Sequence, residues 1–241
     1  MQGSLGLSRR PLYVQVCDLL AERITSGIWK PGSTLPNEQD LAREIGVSPG
    51  TLRKALDMLE GNRLIERHQG RGTYVTDYSS AASQTRFSNI RAGGGERICG
   101  DTRLLEQAMA TADHAECQHL QLTPADTVLR TRRLRSVEGR AFMYEHARLA
   151  AGRLPGLKGA DDAKDYRISA LAQRFGVHLA RATECVGLAS PAREIAEALA
   201  VEPGATLLRL DRIICGTDGL PIEWRVGFCL LNNLQYVVEM N

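Results

Sequence analysis

The stretch that decides the fold runs from residue 11 to residue 75 and reads PLYVQVCDLLAERITSGIWKPGSTLPNEQDLAREIGVSPGTLRKALDMLEGNRLIERHQGRGTYV. Its apolar residues recur at helical spacing over 12–24, with Gly27 behind them, which predicts an amphipathic first helix. Asn37 is a good N-cap for a second helix, and Gly46 should end that helix because glycine readily adopts the left-handed conformation.

A third helix is predicted directly after that turn, with Ser48 as its N-cap and Pro49 at its first position. Its apolar residues form one stripe at i, i+3, i+4 and i+7: Leu52, Ala55, Leu56 and Leu59. Two short helices around a tight glycine turn indicate a helix-turn-helix. The opposite face presents polar groups near the helix start, where a recognition helix contacts DNA: Gly50, Thr51, Arg53 and Lys54. The alternative is a helix pair of an all-helical protein without DNA.

The residues after the third helix favour the DNA-binding interpretation. LIERH and TYVT predict two short strands around QGRG. Gly70 and Gly72 permit a tight hairpin tip, from which Arg71 projects. A basic hairpin directly after a helix-turn-helix is a wing, which can reach the DNA backbone or minor groove beside the recognition helix.

This stretch resembles the DNA-binding domain of the GntR regulators over essentially its full length. The patterns LP.E..LA...GVS..T.R.AL..L and QGRGT occur together, in order and at the spacing of that family. The resemblance implies DNA contacts from the recognition helix and the wing tip, and with Lys54 the predicted DNA-binding set is Ser48, Thr51, Arg53, Lys54, Gly70, Arg71 and Gly72.

Two positions depart from the family pattern. Gln39 and Pro49 stand where the family commonly carries arginines that touch DNA. Losing two charge-assisted contacts should weaken affinity or shift the preferred operator, so an operator with the family consensus is not implied.

The first domain is expected to span residues 8–76 and the second 87–241, joined by a linker over 77–86. The linker sequence DYSSAASQTR is small and polar and has no periodicity. RAGGGER, at residues 91–97, indicates either a flexible connection or a nest of backbone N–H groups for an anionic ligand.

The second domain contains an internal near-repeat. CQHLQLTPADTVLRTRRLRSVEG, ending at Gly139, aligns with IAEALAVEPGATLLRLDRIICGTDG, ending at Gly219. Each copy reads as a helix, a proline turn, a strand, a glycine hairpin and a second strand, which predicts two pseudo-symmetric halves of a mainly antiparallel α+β domain. TRLLEQAMATA and VHLARATECVGL each predict a further strand and SALAQRFGV a helix, while Ser190 and Pro191 are expected to open the helix of the second copy.

Residues 87–241 resemble the UTRA effector domain of the HutC subfamily of GntR regulators, most clearly in RLR.VEGRAFMYEHARL and GLPIEWR. The resemblance implies a sheet domain similar to chorismate lyase, which binds a small polar or anionic metabolite and forms a homodimer. Carried over by position, the effector contacts are Arg133, Arg135, Glu145, Glu223 and Arg225. An arginine fork suits a carboxylate or phosphate, whereas the alternative is that these charges pair with one another on a solvated sheet face.

Composition excludes several other classes. The six cysteines and five histidines are scattered without metal or disulfide spacing, and no nucleophile–base signature is present. We therefore expect no cofactor and no metal, although the likeness to chorismate lyase keeps an enzyme as an alternative. The net charge is +2, with the whole excess in the first 76 residues. No signal peptide or membrane span is recognisable, which predicts a cytoplasmic protein.

The sequence thus predicts an effector-responsive, sequence-specific transcription regulator, in most such cases a repressor, rather than an enzyme. Its expected partners are double-stranded operator DNA, a small-molecule effector and a second copy of the chain. The remaining alternative is an architectural DNA-binding protein without an effector. That role gives no reason for a second domain of this size with no excess positive charge.

Overall fold

The computed structural model describes residues 10–62, 64–77, 85–163 and 167–239. The chain divides into two compact units, Met1–Asp77 and Tyr78–Asn241. Most of the linker predicted over 77–86 lies outside the described residues. Among the helices that the structure describes, none is long and apolar enough to cross a membrane.

The first unit is a winged helix-turn-helix. Its elements are α1 (Leu12–Thr25), α2 (Glu38–Ile45), α3 (Pro49–Gly61), β1 (Ile65–His68) and β2 (Gly72–Val75). The two strands pair antiparallel as a hairpin. The inner faces of the three helices form one core with fully buried side chains from each helix: Leu20, Leu41, Leu52, Leu56 and Leu59.

Capping residues fix the helix-turn-helix, as the sequence predicted. The Asn37 side chain accepts a hydrogen bond from the backbone N–H of Asp40 at the start of α2. Gly46 ends α2 with φ +77°, in the left-handed region. Ser48 accepts from the N–H of Thr51 at the start of α3. Each cap satisfies a backbone group that the helix itself leaves unpaired.

The second unit is α+β. Its elements are β3 (Ile90–Arg91), β4 (Asp101–Thr111), α4 (His114–Leu120), β5 (Thr127–Val137), β6 (Arg140–Ala150), two short 3-10 helices (Ala151–Arg153 and Ala160–Ala163), α5 (Ile168–Arg174), β7 (Leu179–Ala189), α6 (Arg193–Ala198), β8 (Leu207–Gly216), β9 (Pro221–Cys229) and β10 (Gln235–Tyr236). Six of its strands form one antiparallel sheet in the order β4-β5-β6-β9-β8-β7, and β3 pairs with β10.

The sheet has the pseudo-twofold symmetry that the repeat predicted. The hairpin glycines Gly139 and Gly219 are 80 residues apart. The same offset relates His146 to Val226, and these two residues pair directly across the central β6–β9 ladder. A twofold axis between them maps β4-β5-β6 onto β7-β8-β9, so equivalent side chains of the two copies converge on the middle of the sheet.

Two local predictions are settled by the backbone. Helix α6 begins at Arg193 with Ala192 as its N-cap, so the prediction that Ser190 and Pro191 open it is wrong. A residue before proline favours extended backbone, and here Ser190 follows directly on β7. The glycines of 91–97 form a turn in which the N–H groups of Ala92 and Gly95 both donate within the turn, which favours a connection over an anion nest.

Candidate DNA interface and effector site

The predicted DNA contacts of the helix-turn-helix lie together on the solvent side of α3. Arg53 and Lys54 are exposed, on the face opposite the buried stripe. Ser48 is the N-cap and Thr51 lies in the first turn of this helix, with their hydroxyl oxygens 2.9 Å apart. The arrangement offers two cations and two hydroxyls from one helix N-terminus, which are groups that can contact phosphates and base edges.

The ion pairs of this unit show which arginines stabilise the fold and which could contact DNA. Arg67 on β1 lies 2.6 Å from Asp57 and 3.0 Å from Glu60, so it fastens the hairpin to α3. Arg53 makes a longer contact of 3.3 Å with Glu38, and its side chain is 67% exposed. An exposed pair of this kind contributes little stability, so the Arg53 guanidinium can exchange its partner for a phosphate or a base.

The wing tip has the geometry that its glycines predicted. Gly70 and Gly72 have φ of +72° and +110°, which side chains rarely adopt. Arg71 between them is exposed, and the hydroxyl of Tyr74 donates to its carbonyl oxygen at 3.0 Å. The side chain of Arg71 makes no ion pair with another described residue, so it projects from a braced turn.

The two departures from the family pattern are both at the surface. Gln39 on α2 and Pro49 at the start of α3 are exposed. Neither supports the fold by burial, so they change the exposed chemistry of the helix-turn-helix without affecting its core.

All five predicted effector residues meet in the middle of the large sheet. A pocket with a cavity volume of about 40 Å³ lies over β5, β6, β8 and β9. Its charged lining consists of Arg133, Arg135, Glu145, Arg167, Arg212 and Arg225. Glu223 lies beside it, with a carboxylate oxygen 3.8 Å from Arg133.

Glu145 is the centre of this group. Its carboxylate lies 3.1 Å from Arg133, 3.0 Å from Arg225 and 3.5 Å from Arg135. The Glu145 side chain is 2% exposed and that of Arg133 4%. The charges therefore do pair with one another, but they do so in a buried site and not on a solvated sheet face. Buried charges are costly unless paired, which ties this group to the stability of the unit.

The surrounding charges determine the protonation state of Glu145. Burial alone would raise the pKa of Glu145, but Arg225, Arg133, Arg135 and Arg212 together hold it far below its ordinary value. Burial, followed by repulsion from Arg225, lowers the pKa of Arg212. Glu145 is therefore a carboxylate at neutral pH, surrounded by cations that repel one another.

Sequence reasoning missed two arginines of the lining. Arg212 corresponds to Arg133 in the internal repeat, so the pseudo-twofold axis could have identified it. Arg167 comes from the segment before α5, and its side chain makes no hydrogen bond or ion pair with the described residues. The missed polar groups Ser88, Thr102 and Ser169 come from an irregular segment, a strand and a helix, which only the folded chain brings together.

Two protein-family models match this chain. The model of the bacterial regulatory proteins of the gntR family matches residues 12–75, and that of the UTRA domain matches residues 100–234. The chain belongs to the GntR family, in its UTRA branch. The winged helix-turn-helix and the antiparallel α+β sheet predicted from the sequence are those of this family.

Two curated relatives are named as repressors. The mannosyl-D-glycerate transport/metabolism system repressor MngR of Escherichia coli is 31% identical over 152 residues, 63% of this chain and 63% of that protein. The histidine utilization repressor of Pseudomonas putida is 32% identical over 108 residues, 43% of this chain and 44% of the relative. The chain thus spans less than two thirds of the length of either relative.

A solved structure resembles the second unit. The ligand-binding domain of a GntR-family transcriptional regulator from Bordetella bronchiseptica is 26% identical, with a TM-score of 0.57. The similarity covers 64% of this chain and 97% of that domain. A ligand-binding domain of the family therefore has the fold that surrounds the arginine pocket.

Proposed function

We propose that this GntR-family chain is a dimeric, sequence-specific DNA-binding repressor that a small anionic metabolite controls. The observation that carries the proposal is the pocket itself, because five arginines from separate parts of the chain converge on it and offer guanidinium groups to an anion. Repression is the role that the names of the two curated relatives give to those proteins. A repressor of this kind would act on chromosomal DNA in the cytoplasm.

The charge of the pocket supports an anionic effector. Five arginines line it, against Glu145 and the two adjacent glutamates Glu184 and Glu223, an excess of two positive charges. Guanidinium groups bind carboxylates and phosphates in bidentate geometry, and a carboxylate such as Glu145 accepts hydrogen bonds from hydroxyl or amine groups. The effector contacts we propose are Arg133, Arg135, Glu145, Glu223 and Arg225.

Two arginines should affect DNA binding in different ways. Arg53→Ala is expected to weaken operator binding by about 1–3 kcal/mol if the side chain reads a base edge. Arg71→Ala in the wing should instead weaken binding to operator and scrambled duplexes alike and reduce the salt dependence, since a phosphate contact carries no sequence information. Titrating both variants on both duplexes at several salt concentrations measures the difference.

A matched control for these variants is Arg10→Ala, which removes an exposed arginine that pairs with Asp18 near the start of α1. It should leave operator affinity and salt dependence near those of the unaltered chain. Unchanged operator binding in both Arg53→Ala and Arg71→Ala would contradict the proposed interface.

The regulator should act as a homodimer. One winged unit offers a small DNA interface, whereas two units related by a twofold axis can read a palindrome with half-sites about one helical turn apart. Sedimentation of the full chain should show a dimer at micromolar concentration, and a full operator should bind far more tightly than a half-site. A monomer that binds half-site and full site equally would contradict this.

A further inference from the structure

The Arg212 side chain lies between the pocket and Glu184. On one side it lines the pocket, opposite Arg225 in the β8–β9 register. On the other side its Nε donates to Oε1 of Glu184 on β7 at 2.6 Å. Within the described part of the chain, Arg212 is the one cation within ion-pair distance of Glu184.

Glu184 in turn holds the C-terminal segment, residues 235–239. The hydroxyl of Tyr236 donates to Oε2 of Glu184 at 2.6 Å, and Asn89 donates to Tyr236 at 3.1 Å. Burial and the bond to Glu184 raise the pKa of Tyr236 to about 12, so its phenol is a donor at neutral pH. The N–H of Val237 donates to the carbonyl oxygen of Asn89 at 2.9 Å.

The C-terminal segment is thereby fastened to residues 89–91, in the early part of the second unit. Strand β10 pairs with β3, and Arg91 lies 2.8 Å from Glu239. Phe87 and Ser88, which come just before Asn89, line the pocket. Any occupant of the pocket therefore lies between Arg212 and the segment through which the chain arrives from the winged unit.

Like charges on directly opposed residues of neighbouring strands destabilise a sheet, and Arg212 and Arg225 are such a pair. An anion bound by the remaining guanidinium N–H groups offsets that repulsion and orders the Arg212 side chain in the position in which its Nε donates to Glu184. Glu184 is also the acceptor for Tyr236. Ordering the Arg212 side chain against Glu184 therefore also fixes the C-terminal segment against residues 88–91.

We propose that Arg212 is a further contact for the anionic effector, and that through Glu184 and Tyr236 it clasps the C-terminal segment onto residues 88–91 when the pocket is filled. This inference rests on the proposed effector function of the pocket. The clasp restricts the segment that follows the DNA-binding unit in the chain, which gives the effector a route to operator affinity.

Hydrogen exchange of the full chain tests the clasp, with inorganic phosphate as the anion and sodium chloride at equal ionic strength as the reference. The Val237 amide reports the clasp because its hydrogen bond joins the two segments. Near-saturating phosphate should slow its exchange about tenfold by stabilising the closed form. Calorimetry of the same samples should show phosphate binding that Arg133→Gln weakens.

Tyr236→Phe removes the hydroxyl and keeps the ring. Because phosphate binding and closure are linked, this variant should bind phosphate up to about tenfold more weakly than the unaltered chain, and phosphate should no longer slow exchange at Val237. Tyr144→Phe is the matched control, since the Tyr144 hydroxyl donates to a carboxylate outside the pocket, Glu194, at 2.8 Å. It should retain the full response.

The possible failures are distinguishable. If phosphate binds but leaves Val237 unchanged, or if Tyr236→Phe keeps the full response, the clasp is overturned and the effector pocket stands. If phosphate does not bind, or binds equally well to Arg133→Gln, both the clasp and the proposed effector site are overturned.

Discussion

Glu145→Gln is expected to lower the free energy of unfolding of the second unit by about 3–5 kcal/mol, the usual cost of removing one partner from a buried ion pair. The glutamine occupies nearly the same volume, so the loss is electrostatic. Arg133, Arg135 and Arg225 would then face one another without the carboxylate that lies within 3.5 Å of each of them.

Tryptophan fluorescence can follow this unit alone. The chain has two tryptophans, and Trp224 lies in β9, so denaturant unfolding in a Trp29→Phe background monitors the sheet. Glu106→Gln is the matched control, because Glu106 is 60% exposed and pairs with Arg132 at the surface. It should cost at most about 1 kcal/mol.

A second variant keeps the prediction testable if Glu145→Gln does not fold. Glu145→Gln combined with Arg225→Gln removes one charge of each sign and should be more stable than Glu145→Gln alone. A double variant that is less stable than Glu145→Gln would contradict the repulsion argument.

The same carboxylate predicts a pH dependence. Its folded pKa lies below the ordinary value of about 4.3, so its stabilising contribution is complete above that value and disappears as the pH falls toward the folded pKa. Acidification below about pH 4.5 should therefore destabilise the unaltered chain more than Glu145→Gln. Parallel loss of stability in both would show that other groups dominate acid unfolding.

Local chemistry made the winged unit predictable. Asn37 and Ser48 cap helices through their own side chains, and Gly46 marks the turn between them. Each feature depends on residues within a few positions of one another, which a sequence displays directly. The two equivalent halves of the sheet were predictable for a different reason, since an internal repeat implies them, whereas the order of the strands was not predicted.

The pocket shows where sequence reasoning ends. Arg133 and Glu145 could be identified because they lie in a recognisable motif, but their mutual distance depends on the β5–β6 register, in which they are paired. Ser88 and Arg167 reach the same space from irregular segments. Their position depends on how those segments pack on the sheet, and no local pattern encodes that packing.

The C-terminal contacts illustrate the same limit over a longer separation. Tyr236 and Asn89 are 147 residues apart in the chain, and both reach Glu184. None of the three belongs to a motif, and a tyrosine near a chain end is unremarkable in a sequence. Only the pairing of β3 with β10 brings them together.

Arg133→Gln is expected to abolish the effector response while leaving apo operator binding nearly normal. Losing a charge-assisted contact to an anion should weaken effector binding by about 1.5–3 kcal/mol. Arg133 should tolerate replacement by glutamine better than Glu145 does, because Glu145 keeps Arg225 at 3.0 Å and Arg135 at 3.5 Å, and a glutamine amide can still donate toward Glu223, the other carboxylate near Arg133. The variant therefore tests the pocket without removing the group on which the unit depends.

The measurement starts from mass spectrometry of any ligand that copurifies with the chain, followed by calorimetry with and without operator. Coupling between the two sites must be reciprocal. DNA should therefore weaken effector binding by the same free energy by which the effector weakens DNA binding, typically about 1–3 kcal/mol. Arg132→Gln is the control on the same strand, since Arg132 pairs with Glu106 and Glu194 outside the pocket. Undiminished affinity in Arg133→Gln would place the effector elsewhere. A bound ligand that leaves DNA affinity unchanged would favour an architectural role, and turnover of that ligand would favour an enzyme.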